Sequence, residues 1–187
     1  DEWAENVDND AFTNASAQVN LRNAVVAAAV LKQVAKPEWK LVADKLVFNK
    51  LPNGVTREHA TYKGENIKQA DVNLLAYPLL VIKDTAQIRK DLNYYEVRVP
   101  EKGTPAMTQA IFSLLYARLG NADKAYHFFE DAYRPNLLPP FRVIAETKGG
   151  DNPYFLTGAG GVLQTVLMGF GGLDITPKGI VQHKTIL

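Results

Sequence analysis

The residues best suited to chemistry crowd the first fourteen positions of the chain, Asp1-Glu2-Trp3-Ala4-Glu5-Asn6-Val7-Asp8-Asn9-Asp10-Ala11-Phe12-Thr13-Asn14. Carboxylates and amides are interleaved there with Trp3, Val7 and Phe12, a mixture that a merely solvated acidic tail rarely carries. A carboxyl group held against an apolar wall keeps its proton to higher pH and can act as an acid near neutrality, as sugar chemistry requires. The same Asp and Asn residues also suit a helix N-terminus, where they cap backbone amides and complement the dipole. This segment alone leaves both readings open.

Composition narrows the remaining choices. The 187 residues are 47% hydrophobic, enough for one well-cored domain or one piece of a larger one. Basic and acidic residues number 21 and 20 without a Lys/Arg block, so an electrostatic grip on nucleic acid or on an anionic membrane is not expected. No run approaches the roughly 20 apolar residues of a membrane span. With no cysteine, disulfides and thiolate chemistry are excluded, and His59, His127 and His183 are too scattered to suggest a metal site. The first residue is not Met and lies inside a polar motif, which suggests a piece of something longer. Any export leader would lie upstream of Asp1, so the compartment, exported or periplasmic among others, is unknown.

The elements that must position these groups read as helices. Residues from Ala15 to Val34 predict a helix buried on more than one face. Pro37 opens a second helix through Trp39, Leu41, Val42 and Leu46, ended by the Pro52-Asn53-Gly54 turn. Further helices are predicted over Ile67 to Ala76, Thr85 to Tyr95, Met107 to Leu119 and Ala122 to Tyr133, the last two joined by Gly120-Asn121. Asn136 to Pro153 reads as a long irregular segment, a length more often functional than idle. A glycine-crowded helix from Gly158 to Phe170 follows, its glycines serving either close helix contact or exposed backbone amides. The tail from Ile175 to Leu187 turns toward strand. The fold class is therefore all-α, helical hairpins in series as in an α/α toroid or a solenoid, with a short β tail.

Three motifs occur in order: the opening segment, then Lys68-Gln69-Ala70-Asp71-Val72, then Phe155-Leu156-Thr157-Gly158-Ala159-Gly160-Gly161-Val162-Leu163-Gln164 with Gly169-Phe170-Gly171-Gly172-Leu173. Together they resemble glycoside hydrolase family 65, a group of disaccharide phosphorylases and inverting hydrolases acting on α-linked glucose. The resemblance implies about half of an (α/α)6 barrel, the C-terminal half of the catalytic domain, over residues 1–174, with a C-terminal β segment starting over 175–187. It implies Glu2 as the general acid that protonates the glycosidic oxygen. Lys68 and Gln69 match a pair that hydrogen-bonds hydroxyls of the glucose at the −1 subsite.

Glu146 matches the position of the family hydrolases' base, which deprotonates the attacking water. The phosphorylases instead hold phosphate with a hydroxyl-rich, His-bearing segment, and this chain reads Gly103-Thr104-Pro105-Ala106-Met107-Thr108-Gln109 without the His. That departure favours water, although the amides of Thr157-Gly158-Ala159-Gly160-Gly161 could still receive an anion. An inverting α-glucoside hydrolase is thus expected, with a phosphorylase or an inactive carbohydrate-binding or structural fragment as alternatives. The chemistry calls for no cofactor and no metal. Expected partners are an α-glucoside substrate, the N-terminal half of the same domain and, through exposed barrel faces, a second copy. The piece alone is expected to turn over little or no substrate.

Overall fold

The computed structural model describes residues 2–185 and divides into two compact units. The first comprises residues 3–65 and 71–91; the second comprises residue 2, residues 66–70 and residues from 92 onward.

In the first unit, helix α1 spans Ala11–Val30 and α2 spans Pro37–Lys45. Asp10 opens α1 by accepting the Thr13 N–H at 2.7 Å, so the capping reading of the acidic segment holds for this residue. Proline fits the first position of α2, where its missing N–H leaves nothing unsatisfied. The two helices pack together, and buried Gln18 donates to the Ala43 carbonyl at 2.9 Å across their contact. The expectation that α1 is buried on more than one face is corrected. Its buried residues are Ala11, Ala15, Gln18 and Ala28, while Val26, Val30 and Leu31 stand exposed and Val34 is 96% exposed. The apolar residues are there, but within this unit α2 and the short helix α3 (Asp71–Leu74), which pack on α1, leave them uncovered.

Helix α3 is a single turn, shorter than the predicted Ile67 to Ala76. The peptide groups just before it bond elsewhere. The Ile67 N–H donates to the Arg98 carbonyl at 3.0 Å and the Lys68 carbonyl accepts the Thr108 hydroxyl at 3.0 Å, contacts that tie this non-helical stretch to residues of the second unit. Helix α4 spans Thr85–Tyr95 as predicted, with the Asp84 carboxylate accepting the Ala86 N–H at its start.

The second unit is organised on α5, Ala106–Arg118, which is buried nearly all round. It packs against α6, Ala122–Tyr133, through the Gly120-Asn121 turn, where Gly120 adopts φ +76° and Asn121 caps the Lys124 N–H at 3.1 Å. Helix α7, Leu156–Gln164, continues as a π-helical stretch over Thr165–Phe170 and lies along another side of α5. Here the glycines serve close contact. A Cβ on Gly161 would sit 3.0 Å from the Ala110 Cβ, and one on Gly169 would sit 3.2 Å from the Leu114 Cα. Buried Thr165 completes the seam by placing its hydroxyl 2.9 Å from the Ala110 carbonyl.

Between α6 and α7 the irregular segment contains a two-residue antiparallel ladder, β1 (Leu137–Leu138) with β2 (Val143–Ile144). At the end, β3 (Leu173–Thr176) pairs with β4 (Gly179–Gln182). Asp174 ties this hairpin to α5 through Arg118 and accepts His183 Nε2 at 2.8 Å. The strand expectation for Ile186 and Leu187, like the role of Asp1 in the opening motif, falls outside the described residues.

Candidate active site

Glu2, Lys68, Gln69 and Glu146 all belong to the second unit, and the structure brings them together. Lys68 is the hub. Its Nζ lies 2.7 Å from Glu2 Oε2 and 3.3 Å from Glu146 Oε1. The side chain is only 16% exposed, against 57% for Glu2 and 30% for Glu146. Gln69 adds a reciprocal pair: its Nε2 donates to Glu2 Oε2 at 3.0 Å and its Oε1 accepts the Glu2 backbone N–H at 3.1 Å.

The backbone that carries these groups is firmly held. Thr108, in the first turn of α5, donates to the Lys68 carbonyl. The Ala106 N–H donates to the Glu146 carbonyl at 2.8 Å, and Pro105 pairs with Thr147 as an isolated antiparallel bridge. The start of α5 therefore supports both Lys68 and Glu146.

Electrostatics follow from this geometry. The Lys68 hydrogen bond and charge, against a smaller effect of burial, hold the Glu2 carboxyl below its ordinary value, with Gln69 adding to the lowering. Reciprocally, the Glu2 hydrogen bond raises the Lys68 ammonium, outweighing burial, with Glu146 contributing. The idea that an apolar wall lifts the acid's pKa is thus corrected for this arrangement: Glu2 is more than half exposed and beside a cation, so it is held ionised.

One contributor to this site, and one carboxylate grouping of the first unit, escaped the sequence reading. Asn152 lies six residues after Glu146, and its Nδ2 donates to Glu146 Oε2 at 2.9 Å; the Gly149-Gly150 turn between them was the available signal. In the first unit, carboxylate oxygens of Asp10, Glu58 and Asp71 lie within 4.8 Å of one another. Glu58 is 1% exposed, and burial, then the neighbouring Asp71 charge, push its carboxyl well above the usual range. Residues 10, 58 and 71 share no local motif, and only the fold reveals the grouping.

The site is thus an ammonium between two carboxylates, carried on a helical scaffold. A solved structure from the human microbiome, described as a candidate kojibiose phosphorylase, matches 93% of this chain and 28% of its own with a TM-score of 0.66 at 16% identity. The fold class is accordingly all-α, helical hairpins of the kind that make up about half of an (α/α)6 barrel, and that expectation is borne out.

Sequence comparison points to a family. The profile described as the glycosyl hydrolase family 65 central catalytic domain matches residues 54–142. Kojibiose hydrolase from Mucilaginibacter mallensis is 69% identical over 187 residues, covering all of this chain, and kojibiose hydrolase from Flavobacterium johnsoniae is 63% identical over 188 residues. A protein-glucosylgalactosylhydroxylysine glucosidase from Danio rerio is 40% identical over 178 residues, 94% of this chain. Over residues 54–142 the chain matches glycoside hydrolase family 65, and it spans about 28% of the length of the kojibiose hydrolases to which it is similar.

Proposed function

We propose that this chain is part of an inverting hydrolase of α-linked glucosides, with Glu2 as general acid and Glu146 as general base. The observation that carries the reading is the placement of Lys68 Nζ within 2.7 and 3.3 Å of the two carboxylates, which come from opposite ends of the sequence. Their facing oxygens are therefore at most about 6 Å apart, against roughly 6.5–9.5 Å between the carboxyl groups of inverting pairs and 5–5.5 Å in retaining ones. Room for a water between them requires the clasp to loosen.

A substrate supplies the means. Sugar hydroxyls that accept from Lys68 and Gln69 compete with Glu2 for their N–H donors, so binding at the −1 subsite weakens the interactions that hold Glu2 ionised. Glu2 can then carry the proton that it donates to the glycosidic oxygen. Glu146 takes a proton from water, whose oxygen attacks C1 from the opposite face, and the products are β-glucose and the leaving alcohol. Kojibiose is the first substrate to try, since the two bacterial relatives are named for it.

We assign residues 1–174 to the catalytic barrel and residues 175–187 to the start of a C-terminal β segment. The N-terminal half of the same domain would complete the −1 subsite. Exposed Val26, Val30, Leu31 and Val34 on and after α1 support a covering partner. We assign that cover to the N-terminal half; a dimer of this chain by light scattering, persisting when that half is present, would instead favour a second copy.

The test uses the full-length protein. Glu146→Gln abolishes glucose release from kojibiose, and added azide restores turnover with β-glucosyl azide as the product. Wild-type-like release by the variant would remove Glu146 from the base role.

A further inference from the structure

The loop that presents Glu146 is closed at its base by the Phe155 N–H donating to the Ile144 carbonyl at 2.8 Å. Within it the Gly150 N–H donates to the Thr147 carbonyl at 2.9 Å and Gly149 adopts φ +71°, a conformation that favours glycine. This turn folds Asn152 back over Glu146. Their contact is reciprocal: Asn152 Nδ2 donates to Glu146 Oε2 at 2.9 Å, and Asn152 Oδ1 accepts the Glu146 backbone N–H at 3.3 Å. Gly150 leaves the space for it. A Cβ there would stand 3.2 Å from Asn152 Oδ1 and 2.9 Å from Thr147 Oγ1.

The two Glu146 oxygens consequently have different partners. Oε2 is held by an amide from its own loop, while Oε1 faces Lys68 at 3.3 Å. An amide that donates to one carboxylate oxygen and accepts from the same residue's backbone restricts rotation of the carboxylate. We infer that Asn152 is a positioning residue that fixes the Glu146 carboxylate so that Oε1 is the atom receiving the proton of the attacking water. The inference rests on the proposed base role of Glu146. In that step the water O–H bond breaks toward Oε1, the water oxygen bonds to C1, the C1–oxygen glycosidic bond breaks, and Glu2 protonates the departing oxygen.

The amide's two functions can be separated. Asn152→Asp keeps the size and an acceptor for the Glu146 N–H, but sets a carboxylate where Glu146 Oε2 expects a donor. Asn152→Ala removes both. In the full-length protein, assayed on kojibiose beside Glu146→Gln, both Asn152 variants lower kcat by about 10-fold or more while KM stays within about 3-fold, because a misaimed base costs rate rather than binding. Their thermal midpoints stay near that of the parent, and should Asn152→Ala fail to fold, Asn152→Asp decides. Gly150→Ala, which crowds Asn152 Oδ1, lowers kcat in the same direction. If Glu146→Gln is inactive while Asn152→Asp keeps more than half of the parental kcat, Asn152 is only a loop staple and the inference falls, leaving the base assignment intact. If Glu146→Gln itself stays active, the base assignment falls and the inference with it.

Discussion

Adjacent glycines in α7 offer a test of the packing that supports the site. Gly160 and Gly161 are both helical, and neither adopts a positive φ, so replacement by alanine brings the same propensity gain of about 1 kcal/mol to each. Their surroundings differ. A Cβ at Gly160 meets nothing within 4 Å, whereas one at Gly161 lies 3.0 Å from the Ala110 Cβ and 3.7 Å from the Met107 Cα. Overpacking of a tight core contact costs roughly 1–3 kcal/mol. Gly160→Ala should therefore stabilise by about 1 kcal/mol, and Gly161→Ala should range from neutral to about 2 kcal/mol destabilising. Urea unfolding of the 187-residue chain reads the difference, which cancels the shared propensity term. Equal stability of the two variants, within the ~0.5 kcal/mol scatter of such comparisons, would refute the account of α7 as a helix seated closely on α5.

Three further outcomes follow from named contacts. Asp174, whose carboxyl burial alone would raise, is brought below the ordinary value of 3.8 by Arg118 and then His183. A depressed folded-state pKa stabilises above the unfolded value and is lost as pH falls through the folded one, so Asp174→Asn should cost about 1–2 kcal/mol at pH 7 and progressively less below the carboxylate range in acid unfolding curves. Thr165→Val, at a fully buried hydroxyl 2.9 Å from the Ala110 carbonyl, should cost about 1 kcal/mol in the same assay. Lys68→Met removes the main cause of the lowered Glu2 carboxyl, so carbon NMR of that side chain should show it titrating at higher pH; an unmoved titration would mean that the ammonium does not control it.

Legibility from sequence tracked how local the controlling interactions are. Helices α4 and α6 begin and end at the residues that punctuation marked, Asp84 before one and Gly120-Asn121 before the other. Helix α3 is shorter than its apolar pattern suggests, and Ile67 and Lys68 ahead of it bond instead to Arg98 and Thr108, partners far along the chain. The α1 expectation failed for a related reason: an apolar pattern reports the wish to be covered, and the cover need not lie within the same unit.

The candidate site divides similarly. Glu2, Lys68, Gln69 and Glu146 came to notice through the family resemblance, since no spacing joins positions 2, 68 and 146. Their convergence on one ammonium is a property of the fold. For Asn152 the Gly149-Gly150 pair signals a turn, but only the folded loop shows which side chain that turn aims at Glu146. The direction of the Glu2 shift was misjudged because an acidic segment with aromatic neighbours suggests burial, and the nearby cation is supplied from elsewhere in the chain.

The measurement that bears most directly on the central claim is proton NMR of kojibiose turnover by the full-length protein, with and without inorganic phosphate. β-Glucose is expected as the first-formed product without phosphate, and it is lost in Glu146→Gln. Formation of β-glucose 1-phosphate only when phosphate is supplied, or α-glucose as the first product, would contradict that claim.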